Sequence, residues 1–161
     1  KTTIRFFLTG LILGPAFSLA VLWAWRLYAK QPMVSDALIV ASSAWNGLIL
    51  LASAAQLALL LTSLFGLVSR DEPELRGTAI LLTRRFKNSL VFRLAATAAG
   101  GLMIPCGLLY GVGHSVQADA GWVFAASLAA LALTLTGEFV GRYLFFVTVV
   151  PKNIAGSFFK S

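Results

Sequence analysis

The feature that most limits what this chain can become is the run 37–68, which contains no Asp, Glu, Lys, Arg or Pro. A helix rises about 1.5 Å per residue, so some 20 apolar residues cross the roughly 30 Å hydrocarbon layer of a bilayer. The run is longer than that and holds nothing that would make a hairpin. It is therefore expected to cross once, tilted or extending beyond the bilayer.

Three more apolar segments read as spans, at 4–25, 89–112 and 122–150. The predicted fold class is an all-α integral membrane protein: four transmembrane helices plus a short interfacial helix, forming part of a larger helical bundle. That interfacial helix is placed in the charged stretch 69–88, SRDEPELRGTAILLTRRFKN, whose leucines and isoleucine alternate with basic residues weakly enough to lie at a membrane surface. Pro15 and Pro105 should each disturb the helix that contains them. Composition agrees, with 58% hydrophobic and 12% charged residues and a mean hydropathy of +0.85.

The formal charge of +7 would point to nucleic acid in a soluble chain. Here the basic residues collect at helix ends, where they meet lipid headgroups and set orientation, so no nucleic-acid partner is expected. One side of the four-span arrangement holds Lys1, Arg5, Arg70, Arg76, Arg84, Arg85, Lys87, Lys152 and Lys160, and the other only Arg26 and Lys30. The first side is expected to be cytoplasmic. Arg84, Arg85 and Lys87 are candidates for docking a soluble partner. The opening on Lys1, without signal-peptide order, reads as a processed or partial chain.

With one cysteine and one histidine, the chain cannot assemble a complete zinc, haem or iron–sulfur site. Cys106 is expected as a small buried hydrophobe, and His114 as a surface residue of a short connection.

Polar residues inside the spans are few. In the second, Ser42, Asn46, Ser53 and Gln56 recur at helical spacing on one face, as for a stripe turned toward other helices. In the fourth, Glu138 and Arg142 share a face and can pair along it, flanked by Gly137 and Gly141 as a small-xxx-small surface. A lone ion in hydrocarbon costs roughly 2.5–3.5 kcal/mol on insertion scales, so both are expected to face protein or water. Counting from helix ends puts Gln56, Arg93, Glu138 and Arg142 in the same leaflet. These four are the candidate site residues, either as a pocket for a polar headgroup with an apolar tail or as an Arg93–Glu138 ion pair with Arg142 reaching for phosphate.

The stretch GEFVGRYLFFVTVVPKN at 137–153, read with IRFFLTGLILGP at 4–15, resembles the membrane anchor subunit of dimethyl sulfoxide reductase, the DmsC family of bacterial respiratory enzymes and their NrfD-like quinol-oxidising relatives. The strongest matches are the G-E-x-x-G-R core at Gly137, Glu138, Gly141 and Arg142, and the FFLT with its following Gly-Pro. The resemblance implies the second half of a bundle of about eight helices in a bacterial inner membrane. It implies partners, an iron–sulfur subunit and a molybdopterin catalytic subunit, and menaquinol as the substrate oxidised for them. No metal centre would be bound by this chain. The histidine and acidic residue associated with quinol in such anchors belong to the first half, which this sequence does not include. Glu138, with Arg142 beside it, is accordingly expected to orient rather than to accept protons. Two other classes fit the same residues: half of a secondary transporter, from the glycine-rich kinked helices, and a scaffold whose charged loop recruits a partner.

Overall fold

The computed structural model describes residues 2–29, 36–68, 86–114 and 120–148. All the elements they form are helical. The first helix, α1, is Thr2–Ala29 and the second, α2, is Asp36–Val68. The third span is composite: α3 is Lys87–Ala98, a π-helical turn covers Ala99–Met103, and α4 is Ile104–His114. The last helix, α5, is Ala120–Thr148. Four helices are long and apolar enough to cross a membrane, at Phe6–Ala29, Ala37–Gly66, Lys87–Gly111 and Ala120–Val147. The chain is a multi-pass membrane protein. The expected interfacial helix, with Arg84 and Arg85, and the basic tail lie outside the described residues. Lys87 opens α3 and is exposed.

The spans form an antiparallel bundle in which α1 packs on α2 and α5, and the third span packs on α5 and α2. α3 lies against α5, while α4 leans on α2, so the third span changes its main neighbour across the π turn. The local sequence accounts for that turn. Pro105 has no N–H to donate into an α-helical ladder, and its ring crowds the preceding turn, so the helix takes a wider turn just before it. Gly100 and Gly101 let the widened backbone come close to both neighbours. A Cβ on Gly100 would stand 2.9 Å from the Ala130 carbonyl oxygen and the Leu133 Cβ. One on Gly101 would overlap the Ser53 side chain, 2.7 Å from its Cβ.

The apolar core runs from the middle of α1 and α2 to the end where α1 finishes, around Ile12, Leu19, Trp23, Ile49, Leu108 and Val123. Large residues such as Phe7, Phe17, Leu51, Phe65 and Phe146 point outward, as lipid-facing positions do. Cys106 corrects an expectation: it is exposed on the outer side of the third span rather than buried. Pro105, its neighbour, takes the buried side instead.

Candidate functional site

At the opposite end from the apolar core, where α1 starts and α2 and α5 finish, polar side chains from separate helices converge on one carboxylate. Glu138 on α5 accepts a hydrogen bond at Oε2 from the Thr9 hydroxyl of α1, at 2.8 Å. Its Oε1 accepts from the Gln56 amide Nε2 of α2. Thr9 and Gln56 are both buried, at 7% and 5% exposure, so the contact joins three helices inside the bundle. The α2 stripe brought Gln56 inward as its spacing requires: Ser42, Asn46 and Ser53 are buried with it. Of these four, Gln56 alone donates to another helix. Ser42 donates to the Ile39 carbonyl and Asn46 to the Ser42 carbonyl, both within α2.

The third helix meets this layer through the glycine face of α5. Gly137 and Gly141 turn toward α3, where Ala96, Thr97 and Arg93 pack on them. The Arg93 guanidinium lies in the notch that Gly141 leaves, its Nη2 at 2.8 Å from where a Cβ would stand. An alanine there would occupy the space of the guanidinium, so Gly141 sets where Arg93 goes. Thr97, one turn further along, donates to the Arg93 carbonyl at 2.9 Å and is buried.

Arg142 takes a different place. Its spacing from Glu138 allows a pair along α5, yet its guanidinium stacks over the Phe6 ring, 4.5 Å from the centroid, on the exposed side of α1. Such a cation–π contact is worth on the order of 0.5–1 kcal/mol where exposed, and more when desolvated. The two residues of the expected pair thus each engage α1: Glu138 through Thr9, Arg142 through Phe6. Because α1 and α5 run antiparallel, the two contacts form successive rungs. Nearby, Phe86 and Tyr143 meet edge to face at 6.5 Å.

Of the four candidates, Gln56 and Glu138 are joined directly. Arg93 and Arg142 flank them through Gly141 and Phe6. Thr9 was not singled out by the sequence reading. The available signal was a hydroxyl in an apolar helix, about as deep from its start as Glu138 is from the end of α5. Among the described residues, no three His, Cys, Asp or Glu side chains come near enough to hold a metal ion. Comparison with known proteins found no matching family model and no significant match among curated proteins or solved structures.

Chemically, the arrangement holds a carboxylate by two donors from different helices and keeps two guanidiniums within a turn or so of it. That fixes three helices in register, since a buried acceptor that loses its donor costs about 1–3 kcal/mol, and more when charged. It also leaves the Arg93 and Arg142 guanidiniums at the same end of the bundle.

Proposed function

We propose that this chain is part of the membrane anchor of a molybdopterin-dependent respiratory reductase of the dimethyl sulfoxide reductase type, in a bacterial inner membrane. In this reading it tethers an iron–sulfur subunit and a catalytic subunit and supports menaquinol oxidation for them. One observation carries the proposal. The two stretches that resemble the DmsC family, far apart in sequence, lie on one another: Thr9 of FFLT donates to Glu138 of GEFVGR, and Phe6 lies under Arg142. Motif residues that meet across two helices act as one unit, which a chance likeness between apolar helices would not be expected to supply.

The roles follow from the contacts. Glu138, with both oxygens accepting hydrogen bonds, is an orienting residue that holds α1, α2 and α5 together. Arg93 and Arg142 are the candidates for meeting quinol oxygens, because guanidinium N–H groups suit carbonyl and phenolate acceptors; Gln56, named with them from the sequence, is buried and spends its Nε2 on Glu138. The quinol would give its two electrons to the partner's cluster and release two protons at the leaflet boundary. No metal or organic cofactor is assigned to this chain.

The test is affinity purification of the chain from its native membranes in mild detergent. Stoichiometric iron–sulfur and molybdopterin subunits are expected in the eluate. Recovery of the chain without them in every extract would overturn the reading. The alternative, half of a secondary transporter, draws on the π turn and Pro105 in the third span, since broken helices line transporter sites. Solute uptake by proteoliposomes of the purified chain would favour it.

A further inference from the structure

Among the described residues, the buried hydroxyls follow a rule with one exception. Thr9 donates to Glu138, while Ser42, Thr97, Ser127 and Thr134 each donate to a carbonyl three or four residues earlier in their own helix. Ser53 does neither. It is 0% exposed, and its Oγ, which faces the π turn at Gly101, has no hydrogen-bond partner in the bundle. One turn along the same inward face, Gln56 uses its Nε2 on Glu138, while its Oε1 is buried and also without a partner.

A buried donor and a buried acceptor, each without a partner, thus stand three residues apart on α2, a spacing that puts Cβ atoms about 5–6 Å from one another. A water set between them would accept from Ser53 and donate to Gln56. Buried waters typically make about three hydrogen bonds. Thr134 lies close by, its methyl 4.0 Å from where a Gly101 Cβ would stand, while its hydroxyl turns back to the Ala130 carbonyl. Both polar atoms are inaccessible from outside, and Ser53 lies where a Cβ on Gly101 would stand.

We propose that Ser53 and Gln56 hold one structural water, and that this water is the fourth member of the Glu138 cluster. Its role is to orient. An amide can turn over, and with its oxygen toward the carboxylate it would face another acceptor. A water donating to Oε1 fixes the orientation in which Nε2 donates to Glu138. The hydrogen-bonded chain then runs from Ser53, beside the π turn, through water and Gln56 to Glu138 and on to Thr9. The site does not depend on the anchor reading, and its test does not use quinol turnover.

The experiment is Ser53→Ala in the full chain, purified with whatever partners it has, with the thermal midpoint as the readout. Loss of one net hydrogen bond predicts a fall of about 2–4 °C for a chain of this size. If the hydroxyl instead stands alone, removing it relieves an unsatisfied buried group, so an unchanged or raised midpoint overturns the proposal. A map of the unaltered protein fine enough to show waters gives a second reading. A peak within hydrogen-bond reach of both Ser53 Oγ and Gln56 Oε1 is expected. A gap with no peak, a bound ring, or Ser53 turned back onto the Ile49 carbonyl would each overturn it.

Discussion

The two ends of the bundle are built on different principles. Around Trp23 the helices meet through shape: the indole is 1% exposed and packs with Ile49, Leu108 and Val123. Around Glu138 they meet through directed hydrogen bonds and glycine notches. In lipid this difference has consequences, because acyl chains surround leucine as favourably as other leucines do and exclusion from water does not hold helices together. The apolar end must rely on close packing, which tolerates sliding between similar side chains. The polar end fixes register, because a carboxylate offers its acceptors in few directions. The largest effect is therefore expected at Trp23, where packing between helices is joined by the Arg26 guanidinium over the indole at 4.9 Å. Trp23→Ala should cost about 3–5 kcal/mol of bundle stability, the usual range for a large buried aromatic, as measured by equilibrium unfolding in mixed micelles. Trp25→Ala, two residues on and 60% exposed, should change little, and equal costs for the two would show that the apolar end is not held by packing.

A second contrast sits within the third span and should be smaller. Gly100→Ala sets a methyl 2.9 Å from the backbone oxygen of Ala130, which cannot rotate away as a side chain would. Overpacking of this kind costs about 1–3 kcal/mol. Gly107→Ala, with nothing within 4 Å, should stay within about 0.5 kcal/mol. Both are read by the same unfolding assay. Comparable losses would mean that the π turn is not wedged between α2 and α5 as its glycines indicate.

These contrasts also mark what the sequence made legible. The four spans were readable because hydrocarbon thickness and backbone satisfaction leave a long apolar run little choice but one helix. The α2 stripe was readable because four polar residues in an apolar helix stand out against a uniform background. Depth counting put Gln56, Arg93, Glu138 and Arg142 in one leaflet, since helix rise is constant. Choice of partner was not readable. A four-residue spacing permits Glu138 and Arg142 to pair without requiring it, and donors on α1 and α2 stand closer to the carboxylate. The side taken by Cys106 was hidden for the opposite reason: in a stretch that is apolar all round, periodicity carries no contrast. Pro105 announced a distortion but not its form, which depends on Gly100 and Gly101 meeting α5 and α2 at once.

The smallest expected effect is the most informative about the polar end. Thr9→Val keeps nearly the same shape and removes the donor to Glu138 Oε2, while Glu138→Gln keeps the side-chain length and removes the charge. Interhelical hydrogen bonds in membranes contribute about 0.6 kcal/mol on average and at most about 1.7, because helices separated in lipid find other partners. A double-mutant cycle on Thr9 and Glu138 should therefore give a coupling in that range, and a second cycle on Arg142→Gln and Glu138→Gln should give less, since Arg142 rests on Phe6. The order of the two couplings decides the matter. If Arg142 couples to Glu138 more strongly than Thr9 does, the carboxylate is held along its own helix, and it no longer fixes the register of α1 against α5. The polar end would then resemble the apolar one, dependent on packing alone.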